Sequence, residues 1–347
     1  MKAAVLFETG KPLKIVEGID IPTVTKGQVQ VKMLYSGLCH SQLMEVSGGR
    51  GEDKWLPHLL GHEGVGIVEK IGEGVTKVQE GDKVIIGWIK GDGLDAPGGQ
   101  YTNKGEVINS GSATTLSSHT IVAENRVVKL PEVIPERIGM LFGCALPTGL
   151  GLVFNELKPE ENKSIAIFGL GGIGMSALLA ANLSKPDVLI AVDVSEQKLK
   201  LARELGATHV INCLTQDPVK TITALTNGGV DYSLEAGGTI QTIEQAFESV
   251  RDGGGQCVFA SHPSHELKIQ LEPHAFHRGK SIRGSWGGGS QPDRDIPIFA
   301  EHYASGNLPL EKLITKEYSL EEVNNALNDL EQKKIIRALI NIESSIS

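Results

Sequence analysis

Cysteine is scarce, with four residues in 347: Cys39, Cys144, Cys213 and Cys257. So few argue against a disulfide framework, and a reducing, cytoplasmic setting is the default expectation. No apolar run approaches the ~18–20 residues of a membrane span. The opening Met1–Phe7 is too short, and too soon followed by Glu8, to be a secretory signal, and it reads as a strand. Basic residues neither dominate nor cluster. Lys and Arg number 33 against 42 Asp and Glu, a formal net charge of −9, so nucleic acid is not an expected partner. There is no internal repeat and no low-complexity tail. What is plentiful is glycine, at 42 residues, which suits tight turns and close cofactor approach. The length exceeds one ordinary core, so two domains are expected.

The first 90 residues read as all-β. Val29–Met33 alternates like a half-buried strand, Gly64–Gly72 is another, and Gly81–Ile86 is a turn leading into a third. Residues 91–118 are polar and aperiodic, and read as a long loop or lobe. From about 147 the pattern becomes βα. Strands are expected at Ser164–Phe168, Val188–Val192, His209–Asn212, Val230–Leu234 and Gln256–Ala260, with helices from Ile173 to Leu183 and from a Ser195 cap to Leu205. This is a doubly wound parallel sheet. A helix Leu320–Lys333 and a strand Arg337–Ile342 end the chain. That last piece shows no partner strand of its own, so it is expected to rejoin the first domain.

Gly169-Leu170-Gly171-Gly172-Ile173-Gly174 fits the dinucleotide fingerprint G-x-G-x-x-G. The pattern alone is weak. Here it follows a strand, opens a helix, and has Asp193 at the end of the next strand, which makes it strong. Asp193 should accept the adenosine ribose hydroxyls and repel a 2′-phosphate, so NAD is expected over NADP. Lys198 reads either as a second ribose contact or as a solvated face residue. Three further residues, Cys39, His62 and Cys144, each lie in a short glycine-flanked segment. Together they offer two thiolates and one imidazole, a set that leaves one tetrahedral position of zinc open for catalysis. A Lewis-acidic metal with a nicotinamide implies hydride exchange at a carbon bearing oxygen.

These segments resemble the medium-chain zinc-dependent alcohol dehydrogenases over nearly the whole chain. The match includes Gly61-His62-Glu63-Gly64, Ile71-Gly72-Glu73-Gly74-Val75 with Gly81-Asp82-Lys83-Val84, the Cys144 segment and the glycine fingerprint. The resemblance implies an α/β fold in which a GroES-like β-rich catalytic domain (1–147 and 287–347) is split around a doubly wound Rossmann domain (148–286). It implies Cys39, His62 and Cys144 as zinc ligands, with Glu63 able to approach the metal. Ser41 is implied to bond the substrate alcohol and Trp88 to line its pocket. His40 and Arg337 are implied near the coenzyme phosphates and Thr148 at the nicotinamide. Read singly, Trp88 is as readily a core aromatic, while a surface position is the less favoured reading of Arg337. The family also implies a homodimer or homotetramer.

The chain departs from the family pattern in three places. The lobe 91–111 has no cysteines where relatives often bind a structural zinc, and Asp92, Asp95, Gly98 and Glu106 are a poor substitute. One catalytic zinc and no structural zinc are therefore expected, with the lobe held by its own hydrogen bonds or an oligomer contact. Met44 replaces the histidine that ends the proton relay in several relatives. Gln42 stands where an aspartate commonly backs the metal-binding imidazole. The function expected is reversible, NAD-linked oxidation of a primary or secondary alcohol to an aldehyde or ketone. Two other readings stay open: a polyol or sugar-derivative dehydrogenase of the same family, and a non-catalytic NAD-binding protein. A zinc-free reductase of this fold would need none of the three ligands.

Overall fold

The computed structural model describes residues 1–264 and 266–345. The chain forms two compact units, Met1–Cys144 with Gln291–Ser347, and Ala145–Ser290. Among the described residues no single helix is long and apolar enough to cross a membrane.

The first unit is built on the 11-residue strand Gln28–Leu38. Its sheet runs in the order Val127–Lys129, Lys83–Ile86, Gly64–Ile71, Gln28–Leu38, Arg337–Asn341 and Ile314–Ser319, and His119–Ala123 also pairs with Gln28–Leu38. Val31, Met33, Leu38, Val84, Val122 and Ile340 fill the core beneath it. Register decides which segments meet. Ser36 opposes Gly64 on one side of the long strand, and Leu38 opposes Ala338 on the other. The segment before Gly64 and the start of the last long strand are thus brought to the same end of Gln28–Leu38, next to Cys39.

Two sequence expectations change here. The terminal strand Arg337–Asn341 does have a partner from its own end of the chain, since Ile314–Ser319 lies parallel to it. The connection between them is the helix Val323–Glu331, entered through the 3₁₀ turn Leu320–Glu322. It buries Val323, Ala326, Leu327 and Leu330, the spacing of an amphipathic helix. The polar lobe, for its part, contains a hairpin, Tyr101–Asn103 with Glu106–Ile108. Its two-residue turn, Lys104-Gly105, has φ of 51° and 85°, the conformation that matches strand twist.

The second unit is a six-stranded parallel sheet. Its strands are β1 (Ser164–Phe168), β2 (Val188–Asp193), β3 (His209–Asn212), β4 (Tyr232–Glu235), β5 (Gln256–Phe259) and β6 (Ser281–Gly284). They lie in the order β3-β2-β1-β4-β5-β6. The edge strand β6 is one more than the sequence pattern suggests, because its Ser-Ile-Arg-Gly is short and mostly exposed. Buried Ala166, Phe168, Ile190, Val192 and Ile211 form the centre, as a sheet covered on both faces requires. Chain order reverses between β1 and β4, the switch point where such sheets bind ligands.

Candidate metal and dinucleotide sites

The first unit gathers Cys39, His62 and Cys144. Their donor atoms lie within 4.8 Å of one another, and among the described residues no other group of three or more such side chains does this. Local structure explains each position. Cys39 follows the long strand with extended φ and ψ of −117° and 160°, and serves as N-cap of the helix His40–Ser47. His62 follows Gly61, whose φ of 97° favours glycine. A Cβ at Gly61 would also meet the backbone nitrogens of Leu116 and Thr115 at 2.8 and 2.9 Å. Cys144 follows the 3₁₀ turn Met140–Gly143. The Gln42 side chain joins two of the three. Its Oε1 accepts from the Cys39 N–H at 3.1 Å, and its Nε2 meets Nδ1 of His62 at 2.8 Å. His62 Nε2 is buried with no hydrogen-bond partner.

Behind the three sits Glu63, fully buried, with Oε1 3.1 Å from Nη1 of Arg337. The same Nη1 donates to the Leu38 carbonyl at 3.0 Å. Two glycines make room for Glu63. A Cβ at Gly37 would lie 2.6 Å from its Cδ, and one at Gly143 would lie 2.7 Å from its Cα. The Glu63 carbonyl accepts from Gly37 N and from the buried Thr115 hydroxyl, both at 3.0 Å.

The charges argue for a cation. The Cys39 thiol is held well below its ordinary value, first by the hydrogen bond from Cys144 and then, against burial, by Arg337 and His62. Cys144 is pushed well above its ordinary value because it donates that bond, and burial adds to the effect. Burial alone would lower Arg337, but Glu63 and the two cysteines raise it, so it stays a guanidinium. With both thiols ionised, two thiolates and one carboxylate face one guanidinium and leave an excess of two negative charges. A divalent ion neutralises that excess. The donor set and the charge balance both fit zinc.

The remaining residues expected at this site fall as follows. Ser41 is half-buried in the first turn of His40–Ser47, and Met44 lies one turn further along the same helix. His40 is exposed. Trp88 is half-buried just past Lys83–Ile86, and its carbonyl accepts from Arg126. Arg337, read from the sequence as a phosphate contact, lies within the ligand cluster and is 3% exposed. Its pairing with Glu63 is not visible in the sequence. The available signal was a lone arginine opening the otherwise apolar strand segment Ala338-Leu339-Ile340.

In the second unit the glycines divide their tasks. Gly169 has φ of 85°, and the Gly237 backbone occupies the space a Cβ would need. A Cβ at Gly174 would press on the Gly169 carbonyl carbon at 2.9 Å. Gly171 has nothing within 4 Å of a Cβ, so its backbone faces open space where a ligand can approach. Gly172 and Ile173 begin the helix α1 (Gly172–Leu183). At the end of β2, Asp193 accepts from Leu170 N at 2.6 Å and from Ser195 N at 2.9 Å. Its carboxylate therefore ties the glycine loop to the next turn. Lys198 is buried in the first turn of α2 (Glu196–Glu204). Thr148 is 4% exposed, and its hydroxyl has no hydrogen-bond partner.

Comparison with known proteins agrees with this anatomy. Residues 25–132 match the alcohol dehydrogenase GroES-like domain, and residues 172–303 match the zinc-binding dehydrogenase family. Alcohol dehydrogenase class-P of Arabidopsis thaliana is 32% identical over 367 residues, covering 98% of this chain and 96% of the relative. S-(hydroxymethyl)glutathione dehydrogenase of Escherichia coli O1:K1 / APEC is 34% identical over 367 residues, covering 98% and 99%. Among solved structures, benzyl alcohol dehydrogenase from Acinetobacter calcoaceticus superposes with a TM-score of 0.89 at 29% identity, covering 98% of this chain and 99% of that one. An alcohol dehydrogenase zinc-binding domain protein from Burkholderia ambifaria gives 0.90 at 30%, covering 98% of each. The GroES-like and Rossmann units, the ligand cluster and these full-length matches place the chain in the medium-chain zinc-dependent alcohol dehydrogenase family.

Proposed function

We propose that this protein catalyses the reversible, NAD-linked oxidation of a primary or secondary alcohol to an aldehyde or ketone. The observation that carries the reading is the cluster of Cys39, His62 and Cys144, set on a buried Glu63–Arg337 pair. A zinc ion held by those three residues supplies Lewis acidity, and NAD supplies the hydride acceptor. The protein's own groups do the rest. Ser41, two residues past Cys39, takes the alcohol proton through its hydroxyl. Met44 carries no proton, so the relay leaves through water or a coenzyme hydroxyl. Trp88 forms a wall of the alcohol pocket. Glu63 and Arg337 set the charge around the ligands, and Glu63 is the residue able to approach the metal. His40 and Arg337 serve the coenzyme phosphates.

Asp193 orients the ribose, with Lys198 beside it, and its charge disfavours a 2′-phosphate. The open face at Gly171 admits the pyrophosphate to the amino end of α1. Thr148 offers its unpartnered hydroxyl to the nicotinamide. The same reading carries one zinc per chain with none in the lobe 91–111. It assigns residues 1–147 and 287–347 to the catalytic portion and 148–286 to the NAD-binding portion of a cytoplasmic homodimer or homotetramer.

The test is a panel of primary, benzylic and sugar alcohols and glutathione adducts with NAD, followed by NADH absorbance, with zinc measured on the same sample. Turnover that depends on about one zinc per chain is the expected result. Full activity in metal-stripped protein refutes the reading.

A further inference from the structure

Strands β1, β4 and β5 end side by side at the carboxyl edge of the second unit's sheet, and the reversal of chain order lies between β1 and β4. The walls of that crevice are the glycine loop after β1 and the turn 236–239 after β4. The two walls touch. Gly237 fills the space beside Gly169, and Ala236 N donates to the Phe168 carbonyl at 2.8 Å.

Glu235 is the last residue of β4 and is fully buried. Its Oε1 accepts from Gly237 N at 2.7 Å, Gly238 N at 2.9 Å and the Thr242 hydroxyl at 2.7 Å. Its Oε2 accepts from the hydroxyl of Ser261, just past β5. One carboxylate thus collects donors from two neighbouring strand exits. The turn it clamps contains two consecutive glycines, which have no side chains to hold them and the greatest freedom to lose. Gly238 sits at φ 91°.

We infer that Glu235 is a positioning residue for the coenzyme. Buried, it touches no ligand itself, and it locks the turn 236–239 against the glycine loop so that the crevice has its binding shape before NAD arrives. Preorganisation of this kind raises affinity by removing an ordering cost from the binding step. The inference rests on the NAD reading above and adds to it a residue outside the fingerprint.

The test titrates full-length, zinc-loaded wild type and Glu235→Gln with NADH by fluorescence. The amide keeps one acceptor oxygen for Gly237 N, Gly238 N and Thr242 but loses the charge that strengthens all three bonds and reverses the bond with Ser261, so NADH Kd rises about tenfold, the loss of one hydrogen bond to a charged group. KM for NAD rises with it, while zinc content and kcat at saturating NAD are retained. A purely structural role would lower Tm and leave the Kd of the folded protein unchanged. Should Glu235→Gln not fold, Ser261→Ala combined with Thr242→Val removes two donors and raises Kd by about threefold or more. Wild type that binds NADH, alongside folded variants that bind it equally well, overturns the inference. Wild type that fails to bind NADH overturns the NAD reading itself.

Discussion

Two buried glutamates in the first unit make an instructive pair. Glu63 lies behind the metal-ligand cluster, and Glu124 lies under the lobe that lacks cysteine. Glu124 is 1% exposed, and its oxygens accept from three backbone N–H groups: Thr76 at 2.6 Å, Lys77 at 2.7 Å and Leu94 at 2.7 Å. Around it Asp293 accepts from Asp92 N and pairs with Lys77, and Gln28 donates to the Pro97 carbonyl. Glu124 is satisfied by neutral backbone dipoles, which tie the start of the lobe at Leu94 to the turn at Thr76 and Lys77. Glu63 instead faces a full positive charge across from two cysteines, which leaves charge over for a metal. A carboxylate fed by amides holds a loop in place. A carboxylate fed by a guanidinium beside two thiols leaves those thiols, once ionised, to a cation.

The largest test of this contrast is Cys39→Ala. It should abolish stoichiometric zinc and nearly all turnover while leaving the lobe intact, as read by metal analysis, NADH production and proteolysis across residues 91–111. Glu124→Ala should do the reverse. It strips an acceptor from three backbone donors, each worth ~1–3 kcal/mol when left unmet, for a loss of about 4 kcal/mol in chemical denaturation. Zinc content of the folded fraction should not change, and loss of zinc there would erase the distinction between the two sites. Gly37→Ala drives a methyl into Glu63. About 2 kcal/mol of overpacking is expected, and here zinc affinity should fall as well, measured by chelator competition.

Acid sharpens the comparison more gently. Burial pushes the Glu124 carboxyl up, but the Leu94, Thr76 and Lys77 N–H groups outweigh it and hold the carboxyl below its ordinary value. A depressed folded value means the stabilisation is complete above the unfolded carboxyl value of ~4.3 and fades as pH falls through the lower folded one. Wild type should therefore exceed Glu124→Gln in stability by a constant margin at neutral pH, and the margin should shrink below about pH 4. The smallest effect belongs to the exposed Lys90–Asp95 pair. Lys90→Ala should leave Tm unchanged within error, because solvent screens such contacts. A clear drop would mean that the lobe depends on surface charge after all.

How much the sequence disclosed depends on how local each feature is. The glycine loop follows β1 and Asp193 ends the adjoining β2, so the fingerprint with its strand and helix context announces them. Cys39, His62 and Cys144 stand out because rare residue types sit in glycine-flanked turns. The Glu63–Arg337 pair escapes such reading because strand register, rather than chain proximity, joins its members. The hairpin at 101–108 escaped because its strands are three residues each, too short for an alternating pattern, although Lys104-Gly105 is a usable turn signal. Strand β6 and the strand Ile314–Ser319 are marked mainly by exposed polar residues and lack an apolar run. Glu124 and Glu235 look like any other acidic residue until their donors are known.

The return of the chain's far end to the strand Gln28–Leu38 also sets a timetable. The ligands Cys39, His62 and Cys144 emerge from the ribosome well before Arg337. A nascent chain can fold the early strands around Glu63, yet it lacks the guanidinium that completes the cradle. Loss of the strand that carries this arginine would leave a buried anion among thiols, so the strand Arg337–Asn341 is a condition for assembling a centre whose ligands all precede it by nearly two hundred residues.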